Sequence, residues 1–413
     1  MSEIIKMPTL RFPNFNGAWM KSKIGDITHK YVNPVDVNAD FYYQEIGIRS
    51  HGKGIFHKEP ILGKELGNKR VFRIKENAFI VNIVFAWEQA IGKTTEKEIG
   101  MIASHRFPMY LPKENRISID FLLHFFLTRK GKSLLELASP GGAGRNKTLG
   151  QKEFENLVLS IPSLPEQQKI ADFLTSIDKR IQLLKEKKDA LGSYKKGVMQ
   201  KLFSQEIRFK DENGNNYSDW KEKRLGKIGD SYNGLTGKSV ENFGQGKKYI
   251  QYKQIFDNSK IILSKCGLVD VSDSENQNKV QFGDIFFTTS SETPQEVGFS
   301  SVLLEEVIED IYLNSFSFGF RPHNLNELNP YFARYLFRSE EVRAKIMKLA
   351  QGSTRYNMSK TEFLKISVFL PSYYEQQKMA NVLFVIDTKI SICEEQITQS
   401  EEYKKGLLQQ MFV

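Results

Sequence analysis

The sequence has only two cysteines in 413 residues, Cys266 and Cys393, and no histidine lies at a spacing that would join them. A disulfide framework and a cysteine-based zinc site are therefore excluded. The six histidines have no neighbouring acids or cysteines at metal-ligand spacing, so a zinc hydrolase is unsupported. No apolar run approaches the roughly 18 residues of a membrane-spanning helix. The first residues also lack the basic-then-apolar order of a signal peptide. We expect a cytoplasmic protein without a metal site.

The chain contains an internal duplication. Residues 161–169 read Ile-Pro-Ser-Leu-Pro-Glu-Gln-Gln-Lys, and residues 370–378 repeat them as Leu-Pro-Ser-Tyr-Tyr-Glu-Gln-Gln-Lys. At the same offset, Tyr-Lys-Lys-Gly follows at 194–197 and again at 403–406. The chain is thus two half-copies, each consisting of a variable body and a shared tail.

The segments before the bodies echo each other as well. Arg11 and Trp19 of the first copy correspond to Arg208 and Trp220 of the second, with four extra residues in the second copy. The bodies themselves, 20–160 and 220–369, share little. A protein whose tails stay alike while its bodies diverge has one task for the tails and two targets for the bodies.

Each tail is predicted to be one long helix. Ser163 with Glu166, and Ser372 with Glu375, have the spacing of a capping box, which predicts a helix start in each copy. Apolar residues then recur at alternating spacings of four and three over more than four heptads without proline, which predicts a coiled-coil seam. The seam includes Ile170, Leu174, Ile177, Ile181, Leu184 in the first copy and Leu383, Ile386, Ile390, Leu407 in the second. We expect the two helices to pair antiparallel; the alternative, in which each pairs with another chain, remains open.

The bodies read as α+β domains. Short runs of β-branched and aromatic residues at 69–74, 78–85 and 284–288 lie between glycine and polar turns, which predicts strands. Helical stretches follow at 119–129 and 330–347. The predicted fold class is α+β: two mixed-sheet domains with short helices, joined by two long antiparallel coiled-coil helices and related by a pseudo-twofold axis.

Two motifs resemble catalytic signatures without completing them. Residues 141–148 look like a phosphate loop, but Asn146 stands where the pattern requires glycine. Asn329-Pro330-Tyr331 resembles part of an amino-methyltransferase tetrapeptide, but it lacks one proline, so a turn with proline at the first helical position is favoured. We therefore expect no active site in this chain.

Basic and polar loops favour nucleic-acid binding instead. The net charge is +10, and the first body carries +7 of it against +2 in the second. The loop at 49–58 offers donors among glycines, although a solvated hairpin explains it equally well. Arg, Asn and Gln read guanine and adenine bidentately, which favours the loops just before each tail as base readers. The candidate DNA-binding residues are Arg49, His51, Lys53, His57, Lys58, Trp87, Gln89, Arg145, Asn146, Lys147, Lys253, Ser290, Ser291, Thr293, Ser353, Thr354, Arg355, Tyr356 and Asn357.

Together these motifs resemble the specificity subunit of type I restriction-modification systems. The resemblance covers essentially the whole chain and rests on the duplicated Pro-Ser-x-x-Glu-Gln-Gln-Lys and Tyr-Lys-Lys-Gly segments, on 352–359, Gly-Ser-Thr-Arg-Tyr-Asn-Met-Ser, and on 86–92, Ala-Trp-Glu-Gln-Ala-Ile-Gly. It implies target-recognition domains at 1–160 and 208–369, and conserved helices at 161–207 and 370–413. The first body departs from the pattern, since Gly-Gly-Ala-Gly-Arg-Asn-Lys stands where Gly-Ser-Thr-type residues are expected.

The resemblance also implies the partners. Each recognition domain would bind one half of a split site in double-stranded DNA. The helices would set the spacer and dock two modification subunits, which carry S-adenosylmethionine and methylate adenine N6. Two restriction subunits that use ATP and magnesium would complete the complex. No cofactor is expected on this chain. Two rival classes remain: a self-sufficient modification enzyme, which would need a cofactor loop that the sequence lacks, and a protein-only coiled-coil adaptor.

Overall fold

The computed structural model describes residues 7–114, 116–141 and 147–413. These residues form two compact units. Unit 1 comprises the described residues up to Glu186 together with Glu394–Val413, and unit 2 comprises Lys187–Cys393. Each unit thus contains one variable body, part of the first long helix and part of the second.

Unit 1 is built from short strands and helices. Its strands are β1 (Met20–Lys23), β2 (Thr28–Tyr31), β3 (Tyr42–Tyr43), β4 (Ile46–Arg49), β5 (Gly54–His57), β6 (Ile61–Leu62), β7 (Val71–Arg73), β8 (Phe79–Val81), β9 (Ile91–Lys93), β10 (Ile102–Ser104), β11 (Met109–Pro112) and β12 (Val158–Ile161). Its helices are α1 (Ile24–Ile27), α2 (Gly63–Leu66), α3 (Ile119–Leu127), α4 (Arg129–Leu137), α5 (Gln151–Glu155) and the beginning of the 40-residue α6 (Leu164–Phe203).

Unit 2 repeats this plan. Its strands are β13 (Lys221–Arg224), β14 (Gly229–Asn233), β15 (Phe243–Ile250), β16 (Gly267–Val269), β17 (Ile285–Thr288), β18 (Ser290–Ser291), β19 (Ser300–Val302), β20 (Ile311–Leu313), β21 (Ser317–Pro322), β22 (Tyr356–Asn357) and β23 (Ser367–Leu370). Its helices are α7 (Leu225–Ile228), α8 (Tyr252–Asp257), α9 (Pro330–Leu336), α10 (Glu340–Met347), α11 (Lys360–Leu364), the end of α6 from Lys187 onward, and the part of the 38-residue α12 (Tyr373–Gln410) up to Cys393.

The central sheets of the two units have equivalent strand orders. Unit 1 has the antiparallel order β2-β11-β8-β9, and unit 2 has β14-β21-β17-β19. In each unit the first strand of the body pairs antiparallel with the strand just before the long helix, β1 with β12 and β13 with β23. This pairing brings the two ends of each body together at the start of the helix.

Each body has two successive helices where one helical stretch was predicted. The stretch predicted at 119–129 matches α3 to within two residues, and α4 was not predicted, whereas the stretch predicted at 330–347 spans both α9 and α10. In the first body α3 ends at Leu127, and Thr128 begins α4 by accepting a hydrogen bond from the Gly131 amide. In the second body the stretch breaks before α10, where the Ser339 side chain accepts from the Val342 amide. In unit 2 the buried hydroxyl of Ser339 caps a new helix without interrupting the apolar periodicity, which is why the sequence pattern missed the break between α9 and α10.

The antiparallel pairing of the long helices is confirmed. In unit 1, Lys404 Nζ lies 2.6 Å from Asp178 Oδ1, and Lys185 Nζ lies 2.6 Å from Glu401 Oε1, so residue numbers rise along one helix as they fall along the other. In unit 2, Lys195 Nζ lies 2.6 Å from Asp387 Oδ1. Lys195 and Lys404 are the first lysines of the two Tyr-Lys-Lys-Gly segments. These segments thus align the helices through equivalent charge pairs.

The predicted seam is confirmed too, since its members are buried or half-buried. In unit 1, Ile170, Leu174, Ile177 and Ile181 share one apolar core with Leu407. The corresponding core of unit 2 contains Leu383 and Ile386, with the half-buried Ile390 packed against it. Leu184 is half-buried. Burying each of these side chains contributes about 1.5–3 kcal/mol, which makes the seam the main source of helix stability.

A buried carboxylate fastens each body to its helix. In unit 1, Glu166 accepts hydrogen bonds from Arg11 Nε at 2.6 Å and from Trp19 Nε1 at 3.4 Å. The second Arg11 nitrogen reaches the other carboxylate oxygen at 2.7 Å. This bidentate geometry explains why arginine and tryptophan recur at fixed places before each body. We call this arrangement the Arg-Glu-Trp clamp.

Unit 2 contains the same clamp. Glu375 accepts from Arg208 Nε at 3.1 Å, from Arg208 Nη2 at 2.9 Å and from Trp220 Nε1 at 3.2 Å. The capping-box prediction was therefore wrong about both glutamates: their carboxylates bind arginine and tryptophan rather than the helix-start amide. Ser372 does accept from the Glu375 amide, at 3.4 Å.

The first glutamine of each Glu-Gln-Gln-Lys segment holds the start of a body helix. Gln167 accepts from the Ser118 amide at 2.9 Å, and Ser118 caps α3. Gln376 likewise accepts from the Asn329 amide at 2.9 Å. The Asn329 side chain caps α9, with Pro330 in its first turn, so the turn interpretation of this motif is confirmed. The repeated motif is thus explained by packing within each unit.

Candidate nucleic-acid interface

The loop at 49–58 is a β-hairpin. β4 and β5 pair antiparallel, with Arg49 opposite Gly54. At its tip, His51 and Gly52 have φ angles of +60° and +67°. Gly52 is required on two counts, because a Cβ there would also lie 2.3 Å from Leu127 Cδ2. The loop is therefore a hairpin whose tip packs against the body, and its binding to nucleic acid stays a prediction.

This tip is bound to the turn that carries Trp87. The His51 amide donates to the Glu88 carbonyl at 2.6 Å, and the Gly52 amide donates to the Gln89 carbonyl at 3.0 Å. Ser50 Oγ donates to Glu88 Oε2 at 2.9 Å. Two segments that the sequence suggested separately thus form one surface, which we call the hairpin surface.

Further cations lie on elements that contact this surface. Lys147 Nζ lies 5.6 Å from the centroid of the Trp87 ring, within cation–π distance. α4 packs against the Trp87 turn and begins with the exposed Arg129. Lys132, also exposed, lies on the same helix. Sequence reasoning missed the α4 cations, because only the tertiary packing brings this helix to Trp87.

Several predicted residues of unit 1 are engaged internally. Gln89 Nε2 donates to the Phe126 carbonyl at 2.8 Å, so its amide supports the turn. His57 Nε2 lies 2.6 Å from Glu98 Oε1, and Lys58 Nζ lies 3.4 Å from Glu45 Oε2. Arg49 stacks over the Phe56 ring at 4.5 Å. Lys53 has no ion pair or side-chain hydrogen bond with the residues that the structure describes. Arg145 and Asn146 lie outside the described residues.

In unit 2, three predicted segments converge. β18 pairs antiparallel with β22, so that Ser290 lies opposite Asn357 and Ser291 opposite Tyr356. Tyr252 of α8 donates its hydroxyl hydrogen to the Ser290 carbonyl at 2.7 Å. The loops at 288–295 and 351–357 are therefore one ribbon with α8 beside it.

This ribbon forms one wall of an open cleft of about 570 Å³, which we call the recognition cleft. It is lined by Tyr252, Lys253, Phe256, Ser290, Ser291, Glu292, Glu296, Phe316 and Arg355. Four of these were predicted from sequence, and the other five were missed, because separately they are ordinary polar or aromatic residues. Thr293, Ser353 and Thr354 are exposed on the adjoining loops.

The charged side chains of the recognition cleft differ in whether they have a partner. Ser291 Oγ donates to Glu296 Oε2 at 2.8 Å, which fixes that carboxylate. Lys253 Nζ lies 2.8 Å from Asp257. The exposed Arg355 guanidinium has no hydrogen bond or ion pair with any residue in the described ranges. Burial raises the pKa of Tyr252, and the nearby Glu296 adds to this while Arg355 opposes it, so the hydroxyl stays protonated as a donor.

No group of three histidine, cysteine or acidic side chains in the described part of the chain could hold a metal ion. Among the helices that the structure describes, none has the length and apolar character needed to cross a bilayer. What the two units offer is binding surface: cations, aromatic rings and polar side chains on loops held by a rigid scaffold.

Comparison with known proteins agrees with this description. The family model for the type I restriction modification DNA specificity domain matches the chain twice, at residues 16–192 and 217–402. A curated relative, the type I restriction enzyme MjaVIII specificity subunit of Methanocaldococcus jannaschii, is 25% identical, and the alignment covers 98% of this chain and 93% of that protein.

Solved structures show the same fold. The S subunit of the type I restriction-modification system from M. genitalium matches with a TM-score of 0.60 at 16% identity, over 99% of both chains. A chain from a study of complex assembly and conformational transition of the type I R-M system matches with a TM-score of 0.56 at 16% identity, over 95% of this chain and 97% of that one. Because the family model covers most of the sequence in two copies, the chain belongs to the type I restriction-modification DNA specificity family, the non-catalytic DNA-recognition subunits that work with modification subunits.

Proposed function

We propose that this chain directs adenine-N6 methylation to a bipartite DNA sequence, each half of which is read by one unit. The observation that carries the proposal is that two units with equivalent central sheets present different binding surfaces. Unit 1 has the hairpin surface with its lysines, whereas unit 2 has the recognition cleft with an unpaired arginine. A common scaffold with different surfaces suits two different half-sites.

We assign the target-recognition domains to 1–160 and 208–369 and the conserved helices to 161–207 and 370–413. The Arg-Glu-Trp clamps support these bounds, because each ties the segment before a body to the start of the helix that follows it. The continuous helices would act as a rigid spacer between the half-sites.

The partners follow from the same assignment. Two modification subunits would bind the duplicated helices, since equivalent segments present equivalent surfaces to identical partners. S-adenosylmethionine would be bound by those subunits, and ATP and magnesium by two restriction subunits. No step of the chemistry is assigned to this chain.

Within the surfaces we distinguish two kinds of contact. Lys53, Lys147 and Lys253 each present a point charge on a flexible side chain and would bind phosphates. Arg355 and the residues of the ribbon would reach base edges, because the arginine fork can donate two parallel hydrogen bonds. Gln89, His57 and Lys58 would serve mainly to hold the hairpin surface in place.

The test is to express the chain with its modification partner in a host free of adenine methylation and to map methylated adenines by single-molecule sequencing. A single split motif with a fixed gap is expected, and it should vanish when this gene is omitted. Methylation without a split motif, or a motif that does not depend on this gene, would contradict the proposal. In the latter case a protein-only adaptor would regain weight, and the purified chain would then show no salt-dependent affinity for DNA.

A further inference from the structure

The recognition cleft contains a carboxylate that is held in place, that of Glu296, and a guanidinium without a partner among the described residues, that of Arg355. Glu296 is half-buried, and Ser291 Oγ holds its Oε2 oxygen at 2.8 Å. Its Oε1 oxygen has no hydrogen bond with the described residues and remains an oriented acceptor. Arg355 lies on the same cleft with its guanidinium unpaired. Although the two groups have opposite charge, they do not form an ion pair within 4.0 Å, so both remain available to a ligand.

This arrangement matches one base pair better than the others. In the major groove, guanine shows two adjacent acceptors, N7 and O6, and its partner cytosine shows the N4 amino donor. An arginine fork complements the guanine acceptors, and a carboxylate oxygen accepts from the cytosine amino group. An A·T pair would be read by asparagine or glutamine, and neither residue type is among the side chains that line this cleft.

We propose that the recognition cleft reads one G·C base pair, with Arg355 on guanine and Glu296 on cytosine. The inference rests on the proposed function and deepens it, because it assigns a base pair to unit 2. Glu296 acts as a specificity residue because its carboxylate is already oriented before DNA binds. The hydrogen bond from Ser291 fixes the direction of the free Oε1 oxygen, so less side-chain entropy is lost when this oxygen binds a base. Lys253, which is 85% exposed at its side chain, contributes charge at the rim without choosing a base.

The experiment uses the full chain in complex with its modification subunits on a plasmid library in which the half-site positions are randomised one at a time. Methylation of each library member is read by single-molecule sequencing. The variants are Arg355→Ala, Glu296→Ala and, as a matched control, Lys227→Ala. Lys227 is an exposed cation outside the cleft that has no hydrogen bond or ion pair with the residues in the described ranges. The other half-site in the same DNA reports whether each variant is folded and assembled.

We expect Arg355→Ala and Glu296→Ala to relax discrimination at the same single position, where the wild-type protein requires G·C, by about 5- to 150-fold. The other half-site and the Lys227→Ala variant should keep full discrimination. The inference is overturned if the two variants act at different positions, if the shared position is an A·T pair, or if both weaken methylation equally on all sequences. Failure of the proposed function looks different, since the wild-type complex would then methylate no split motif at all.

Discussion

Removing the glutamate of one Arg-Glu-Trp clamp should destabilise only the unit that contains it. In Glu375→Ala, the Arg208 guanidinium loses both hydrogen bonds to a carboxylate whose side chain is only 1% exposed, and the Trp220 indole N–H loses its acceptor. Breaking a buried ion pair by removing one partner costs about 3–5 kcal/mol. The Arg208 side chain is 23% exposed and can recover some hydration, so we expect the lower end, about 3 kcal/mol.

The assay is urea unfolding followed by the fluorescence of Trp220 alone, with Trp19 and Trp87 replaced by phenylalanine. At slopes of about 1–3 kcal/mol per molar urea, a loss of 3 kcal/mol lowers the midpoint of the unit 2 transition by about 1–3 M. Glu306→Ala is the matched control, because this exposed glutamate of unit 2 has no hydrogen bond or ion pair with the described residues. Its effect should stay within about 0.5 kcal/mol.

The equivalent change in unit 1, Glu166→Ala, is measured in a second chain that keeps Trp19 and has phenylalanine in place of Trp87 and Trp220. It should lower the transition reported by Trp19, because Arg11 and Trp19 depend on that carboxylate in the same way. The reasoning is refuted if Glu375→Ala and Glu306→Ala unfold at the same urea concentration. It is also refuted if Glu375→Ala leaves the Trp220 transition of the first chain unchanged and lowers the Trp19 transition of the second chain.

Three further predictions concern acidity, salt and length. Burial, together with the charges of Lys404 and Lys93, lowers the pKa of His124 from 6.5 to about 3. Below pH 6.5, His124 is therefore protonated in the unfolded chain but still neutral in the folded one. The free energy of unfolding of unit 1 should then fall by about 1.4 kcal/mol for each pH unit below 6.5. His124→Gln should remove that part of the slope in urea titrations between pH 7.5 and 4.5, and an unaltered slope would contradict it. Lys53→Ala should weaken DNA binding on all sequences alike and reduce the slope of log affinity against log salt by about one, as measured by fluorescence anisotropy; a sequence-dependent loss would make it a base contact. Four residues inserted into α6 near Lys188 should lengthen the gap of the methylated motif, and an unchanged gap would refute the spacer role.

Sequence reasoning reached the architecture because the signals were local and repeated. The heptad seam predicted two long helices, and the identical offset of the tail motifs predicted that these helices are copies of each other. In the first body the predicted helix matches α3 to within two residues, but α4 was missed. In the second body the prediction did not separate α9 from α10, since the cap at Ser339 does not disturb apolar spacing. The glutamate of the capping box was misassigned, because its partner in unit 1, Arg11, lies 155 residues away along the chain.

The candidate site was predicted only in pieces. Lys253, Ser290 and Arg355 were each selected for their side-chain chemistry, but nothing in the sequence says that they line one cleft. Likewise, backbone hydrogen bonds join the hairpin tip at His51 to the turn at Glu88 and Gln89, and no pattern in the sequence indicates this contact.

The sequence by itself therefore determined the duplication, the helical spacer, the family resemblance and the excess of positive charge, since each of these follows from residue order or composition. The tertiary structure alone decided which loops share a surface and which predicted contacts are already engaged within a unit. It also decided which residues the repeated Glu-Gln-Gln-Lys segments contact. The physical reason is that hydrogen bonds such as that of Glu375 with Arg208, or of Tyr252 with Ser290, join residues far apart in the chain, and only the folded packing sets their distance.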